Sequence, residues 1–396
     1  MQAFEYYSPT KIIFGTGTEQ QAGQQIKAHG GSRVLVVYGG QSAVKSGLIQ
    51  RVLSSLSSSG LTYETFGGVR PNPSLSFARE GLNRARAFQA DFLLAVGGGS
   101  VIDTAKAIAD GCANPELDLW DDIWMKKVPL TGSLPVGVVL TIPAAGSESS
   151  DSAVLTNDDT LEKRGLSSDF HRPRFAIMNP ELTYTLPRYQ VACGIVDIMM
   201  HTMDRYFNPV ASNELTDEIA QGLLRTVIRN GRRAMEHPED YQAMSELMWA
   251  GSLSHNGLTG LGGEKDFAPH QLGHELSAQF DAAHGATLAT VWGSWARYCV
   301  DAHPARFAQF GEKVWGFAPA GKSEMDLAMA AIQATEDYFR SLGMPVSLTE
   351  LTGSVQPPEV LETLTRRCTF YGQRTIGSFK VLGHDDILAI YQMTNR

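Results

Sequence analysis

Three of the chain's ten histidines fall in one short stretch, HQLGHELSAQFDAAHG, at positions 270, 274 and 284. On a helix, His270 and His274 lie one turn apart on one face. His284 follows His270 by fourteen residues, a rise of about 21 Å on a straight helix, so the two cannot touch one ion there. The chain must turn back for them to share a ligand. FDAAHG offers the break, since Asp281 suits a cap and Gly285 a turn.

A second cluster, GIVDIMMHTMD, puts Asp197 and His201 at i, i+4 among Ile195, Val196, Ile198, Met199 and Met200. A carboxylate in such surroundings is costly unless it is paired or bound to a cation. An intrahelical Asp–His hydrogen bond is the simpler alternative. With two more histidines from 270–284, the pair completes a three-nitrogen, one-oxygen set. That set suits Zn(II) or Fe(II) and leaves room for a substrate oxygen. If the chain breaks after the 270s, His270 and His284 can converge, and His274 stands one turn away to carry a proton. Two rival motifs are absent. H-E-x-x-H fails because Glu275 follows His274, and H-x-x-E-H fails because Gly273 stands where its glutamate should be.

A different chemistry is written in AVGGGSVIDTAKAIADG, 95–111. A buried strand ends in Gly97, Gly98 and Gly99, and a helix follows from Ser100, with Ser100 and Asp103 spaced as a capping box. Glycines there let backbone N–H groups approach a pyrophosphate held at the helix N-terminus. The alternative is a tight turn that needs glycine for its φ angles. Gly39-Gly40-Gln41-Ser42 ends another strand, where an NAD site commonly places an acid for the ribose. No acid stands there, and Ser42 with the glycines leaves room and donors for a 2′-phosphate. NADP(H) is therefore expected over NAD(H).

These residues need elements to position them. Candidate strands run over 33–40, 61–68, 91–100, 136–143 and 175–180, with helical stretches between the earlier ones. Continuous apolar strands separated by helices predict a parallel sheet covered on both faces. After about 188, helical periodicity takes over. Leu215, Ile219, Leu223 and Val227 fall near one face of one helix. Another opens on a Ser323/Asp326 capping box and stops at Gly343, before Pro345. DDILAIYQM reads as a last helix. Two domains are expected: 1–188, α/β and dinucleotide-binding, and 189–396, all-helical and metal-binding.

The net charge of −9 argues against nucleic acid or an anionic membrane as partner. Cys112, Cys193, Cys299 and Cys368 match no zinc or redox spacing and read as reduced thiols. MQAFEYYSPTK lacks a signal-peptide pattern, and no apolar run approaches the ~18 residues of a membrane span. A cytoplasmic protein is expected.

Taken together, GGGS-x-x-D-x-x-K at 97–106, TIPAAGSE at 141–148, G-x-V-D-x-x-x-H at 194–201 and H-x-x-x-H-x(9)-H-G at 270–285 resemble the iron-containing (group III) alcohol dehydrogenases. The likeness runs over nearly the whole chain. FGGVRPNPS and GHDDILAIYQM resemble the branch of NADPH-dependent aldehyde reductases and butanol dehydrogenases. The resemblance implies a dehydroquinate synthase-like two-domain architecture: a Rossmann-like α/β domain and an all-α domain that enclose a cleft. It implies metal ligands at Asp197, His201, His270 and His284, with His274 between metal and nicotinamide. Gly98, Gly99 and Ser100 match the pyrophosphate loop, with Asp103 close to the nicotinamide. Asn72, Thr141, Ser150, Lys163 and Leu182 fall at cofactor-contacting positions. Gly39, Gly40 and Ser42 match the adenosine-phosphate corner. A homodimer is implied, with the KIIFGTG strand as a candidate interface. One departure stands out: Ala145 replaces a threonine that relatives often carry, and removes a hydroxyl near the cofactor.

The expected activity is reversible hydride transfer between NADP(H) and an aldehyde or primary alcohol, with the metal as Lewis acid and His274 passing the proton. Three other activities compete with it. A lyase of the dehydroquinate synthase kind would need several basic residues for a phosphorylated acid, and only Arg205 and Lys265 stand near the motifs. A maleylacetate-type reductase would also want basic residues. A non-catalytic metal or nucleotide binder would show no turnover.

Overall fold

The computed structural model describes residues 2–209 and 213–396, which form two compact units. The first comprises Tyr7–Leu186 and Pro238–Ser252. It runs β1 (Lys11–Phe14), α1 (Ala22–Ala28), β2 (Arg33–Tyr38), α2 (Ser42–Lys45), α3 (Leu48–Ser58), β3 (Thr62–Gly67), α4 (Leu75–Phe88), β4 (Phe92–Gly97), α5 (Gly99–Ala113), β5 (Val136–Leu140), β6 (Ser152–Asn157), β7 (Glu162–Ser167) and β8 (Phe175–Met178). Six strands form one parallel sheet in the order β1-β8-β5-β4-β2-β3, and β6 and β7 pair as a separate antiparallel hairpin.

Alternation within the central strands explains the layers. Leu35, Val37, Leu93, Ala95 and Val138 face α5, packing on Ile102, Ala105, Ile108 and Ala109. Val34, Val36, Phe92, Leu94 and Val139 face the other way, onto Ile26 of α1 and Leu48, Val52 and Leu56 of α3. Because both faces are covered, the strands read as unbroken apolar runs. Each such buried Val or Leu is worth roughly 1.5–3 kcal/mol over its exposed state. The five strands expected from sequence are β2, β3, β4, β5 and β8. The hairpin was not expected.

The second unit comprises the N-terminal residues through Tyr6, Pro187–His237 and Leu253–Arg396. Its helices are α6 (Arg188–Tyr206), α7 (Glu214–Glu236), the end of α8 (Tyr241–His255), α9 (Ala268–Phe280), α10 (His284–Cys299), α11 (Pro304–Phe310), α12 (Glu324–Ser341), α13 (Leu348–Thr352), α14 (Pro358–Cys368) and α15 (His384–Thr394). The Ser323/Asp326 capping box is present at the start of α12. The α7 stripe differs in part from expectation. Leu223 and Val227 are buried as expected, together with Ala220, Leu224, Ile228 and Gly231, whereas Ile219 is half-buried and Leu215 exposed. Leu215 sits in the first turn, where Asp217 is buried instead. No described helix is long and apolar enough to cross a membrane.

Candidate metal centre and dinucleotide site

The metal centre lies within the helical unit. α9 ends at Phe280, with Asp281 at φ 48° as its left-handed C-cap, and α10 opens at His284. The chain therefore turns back where the sequence offered a break. Gly285 serves differently from expectation. It lies inside α10, where a Cβ would come within 2.1 Å of the Cys193 carbonyl oxygen. Glycine is needed for close approach to α6 rather than for a turn, and Cys193 lies one helical turn before Asp197. Ser277 and Thr287 hydroxyls meet at 3.0 Å, and Gly273 faces Leu288, which fixes α10 against α9.

The result is convergence. His270 Nε2 and His284 Nε2 each lie 3.9 Å from Asp197 Oδ1, and His201 Nδ1 lies 3.1 Å from the same oxygen. Ligand atoms of Asp197, His201 and His270 all fall within 4.8 Å of one another, and all three residues are buried. Donors around a tetrahedral ion with ~2.1 Å bonds stand roughly 3.4 Å apart. The set therefore encloses a space of about the right size for one ion. Asp197 Oδ1 is buried and accepts no hydrogen bond, which a carboxylate oxygen in an apolar helix tolerates poorly without a cation. On these grounds the residues fit a divalent metal. The i, i+4 alternative survives only in part: His201 Nδ1 is 3.0 Å from the Asp197 carbonyl oxygen.

Support behind the ligands was missed in the sequence. Asp204, on α6 and buried, accepts from His270 Nδ1 at 2.6 Å. That bond places the proton on Nδ1 and leaves Nε2 as the ligand nitrogen. Burial pushes the Asp204 carboxyl up to about 8, against the pull of His201 and Arg205. Its i+3 spacing from His201 is the one sign of it in the sequence. His255 packs edge-on at 4.1 Å from the His201 ring, and Arg205 Nη2 donates to its Nδ1 at 3.2 Å. Phe267 sits at φ 54°, 5.0 Å from the His270 ring and 4.8 Å beneath the Arg205 guanidinium. No spacing in the sequence pointed to either. His274 stands beside the ligands, its ring 5.1 Å from His284 and 6.3 Å from His270.

The α/β unit carries the second site. Chain order reverses at one place in the sheet: β2 leads outward to β3, whereas β4 leads the other way to β5 and β8. Ligands of open α/β sheets bind at the strand C-termini beside such a switch point. Gly39 and Gly40 follow β2, with Ser42 opening α2, while Gly97 ends β4, Gly98 links it to α5 and Gly99 opens that helix. Thr141 adjoins them, its N–H bonded to the Gly97 carbonyl at 3.2 Å. None of Gly97, Gly98 and Gly99 has a positive φ. Space is what requires them: a Cβ would lie 2.5 Å from Val101, 3.1 Å from Ile142 and 3.2 Å from Ala145 respectively. The helix starts at Gly99 with Gly98 as N-cap, and no side chain caps it, so the expected Ser100/Asp103 capping box is absent. The Val101 and Ile102 N–H groups bond the Gly98 carbonyl at 3.0 and 3.1 Å, and no capping side chain covers the turn before them, where an anion would sit.

Asp103 is engaged elsewhere. Oδ1 accepts from Ser147 Oγ at 2.6 Å and Oδ2 from Val154 N at 3.0 Å. Burial pushes this carboxyl up, against Lys106 and the two hydrogen bonds. Asn72 and Lys163 are brought together, with Lys163 Nζ donating to Asn72 Oδ1 at 3.0 Å. The hairpin makes this contact by docking on the chain after β3, with Thr156 N bonded to Pro73 O at 2.8 Å. Ser150 is wholly buried, its hydroxyl bonded within the loop to Ser152 O at 3.3 Å. Leu182, in a short turn after β8, packs against the sheet face opposite α5.

Comparison with known proteins divides the chain between residues 180 and 191, with 238–252 falling in the second match. Residues 9–180 match the sequence model described as iron-containing alcohol dehydrogenase, and 191–394 match the Fe-containing alcohol dehydrogenase family, C-terminal. NADH-dependent butanol dehydrogenase A of Clostridium acetobutylicum is 38% identical over 395 residues, 99% of each chain. The NADPH-dependent aldehyde reductase YqhD of Escherichia coli is 36% identical, again over 99% of each. The crystal structure of NADH-dependent butanol dehydrogenase A from Thermotoga maritima superposes with a TM-score of 0.95 at 36% identity, covering 100% of this chain and 99% of that one.

Proposed function

The chain belongs to the iron-containing alcohol dehydrogenase family, an oxidoreductase of alcohols and aldehydes with a nicotinamide cofactor and a metal, and within it we propose an NADP(H)-dependent reductase of small aldehydes. The reverse reaction oxidises the primary alcohol. One observation carries the reading: two histidine Nε2 atoms from α9 and α10 meet a buried, unsatisfied Asp197 oxygen of α6.

Asp197, His201, His270 and His284 hold the ion, Fe(II) or Zn(II), and Asp204 fixes the His270 tautomer. When bound, the ion supplies Lewis acidity toward the substrate oxygen and the nicotinamide supplies or accepts hydride. His274, adjacent to the ligand histidines, moves the proton between that oxygen and solvent. Gly98, Gly99 and Ser100 seat the pyrophosphate on the α5 N-terminus. Gly39, Gly40 and Ser42 take the adenosine 2′-phosphate, since no acid at the end of β2 repels it. Asp103, Asn72, Thr141, Ser150, Lys163 and Leu182 complete the cofactor's surroundings. β1 is an edge strand with a single partner, β8, and is the edge through which a homodimer would form. A cytoplasmic site of action fits an enzyme drawing on soluble NADPH.

Steady-state kinetics with butanal test the cofactor assignment. The reading predicts a kcat/KM at least tenfold higher with NADPH than with NADH. A preference for NADH would remove the 2′-phosphate corner from the account.

A further inference from the structure

Lys106 lies on α5, and its side chain is completely buried. Its ammonium donates to Ser152 O at 2.7 Å, Ser147 O at 2.8 Å and Ser147 Oγ at 2.9 Å, with Ser150 O at 3.3 Å. All four oxygens belong to one segment, the end of the loop after β5 and the first residue of β6. An ammonium has three protons, so this cage uses it completely. A ring of carbonyl and hydroxyl oxygens is what a loop builds around a monovalent cation, and here the cation is tethered to a helix. Burial pulls the ammonium down to about 8, against the field of Asp103, Asp151, Glu148 and Asp110.

The same loop is gripped at a second point. Ser147 Oγ passes its proton's hydrogen bond on to Asp103 Oδ1 at 2.6 Å, and Asp103 Oδ2 takes Val154 N. Asp103 and Lys106 are one turn apart on α5. Together they anchor residues 147–154 to the helix whose N-terminus follows the glycine turn. Just upstream, Ala145 stands so near Gly99 that a Cβ there would lie 3.2 Å from its own. The set of this loop therefore fixes the room above the turn.

We propose that Lys106 is a positioning residue of the dinucleotide site, a tethered ammonium around which residues 147–152 fold so that Ala145 walls the pyrophosphate turn. The proposal rests on the reading of that turn as the cofactor site. Removing the charge leaves three carbonyls and a hydroxyl facing a dry interior, and the loop must rearrange to satisfy them.

Titration of the full-length, metal-loaded protein with NADPH and with NADH, read by nicotinamide fluorescence at pH 7, tests this. Lys106→Met is expected to raise the cofactor Kd about tenfold or more, with metal content and aldehyde KM unchanged. Lys106→Ala is expected to regain much of the affinity with propylammonium, whose three carbons and nitrogen replace the atoms lost beyond Cβ. Lys106→Met, with the space filled, gains nothing from it. Ser147→Ala keeps the lysine and should raise Kd about threefold. A folded Lys106→Met binding cofactor as the parent does, or Lys106→Ala indifferent to propylammonium, overturns the proposal. If neither lysine variant folds, an unchanged Kd in Ser147→Ala does so. A parent protein that binds neither nucleotide would instead overturn the site reading, and the proposal with it.

Discussion

The two sites are built by opposite means. At the N-terminus of α5 the chain offers backbone: three glycines, none at positive φ, with a Cβ clashing at Gly97 and crowding its neighbour at Gly98 and Gly99. At the metal centre it offers side chains, four donors from α6, α9 and α10 drawn together by one helix break and one close-packed glycine. Backbone sites are insensitive to residue chemistry but sensitive to added volume. Side-chain sites are the reverse, since removal of one donor leaves the others buried without a charge to hold. The two should therefore fail independently, and by different kinds of mutation.

Asp197→Ala is the harshest test of that independence. It removes the only carboxylate of the ligand set, so the protein should lose its metal and at least ~10³-fold in kcat/KM. Nucleotide binding by fluorescence should be unchanged, and its loss would show that the sites are not separate. His274→Ala should cost on the order of 10²-fold in turnover while metal analysis finds the ion retained. Loss of the ion would make His274 a ligand and break the assignment. Asp204→Asn keeps the shape but weakens the acceptor for His270 Nδ1. Competition with a chelator should show metal affinity lower by roughly 10–100-fold, with cofactor KM unmoved. Gly99→Ala is the mildest. Its methyl, forced against Ala145, should raise cofactor KM about tenfold, an effect of ~1.4 kcal/mol, with metal content intact.

The same contrast governs what could be read from the sequence. The glycine run after β4 was legible because a backbone site needs its glycines contiguous. What the sequence could not tell was why they are glycine: space above the turn, set by Ile142 and Ala145, is tertiary information. Asp197 and His201 were legible because a carboxylate among Ile and Met is costly. Asp204 was not, because it lies past the apolar run and its partner is sixty-six residues away. His255 and Phe267 reach the centre through packing alone. The β6–β7 hairpin was hidden because β7 buries Lys163 and Arg164, consecutive residues on opposite faces, so no apolar alternation marks it. Its turn is marked by Asn157, whose Oδ1 accepts from Asp159 N at 3.0 Å. Nor does any composition change mark the return of residues 238–252 to the α/β unit. The capping box at Ser100 failed because the helix begins one residue earlier, at Gly99 with Gly98 as N-cap, and Asp103 is bonded to Ser147 and Val154 instead.

The central claim is that the converging donors of α6, α9 and α10 hold the ion on which hydride transfer depends. Absorbance at the nicotinamide band, with NADPH and butanal, measures it directly on metal-stripped protein and after adding Fe(II) or Zn(II) separately. The account predicts no oxidation of NADPH without metal and its restoration by one or both ions. Full turnover in the stripped protein, or none with either metal across several aldehydes, would contradict it.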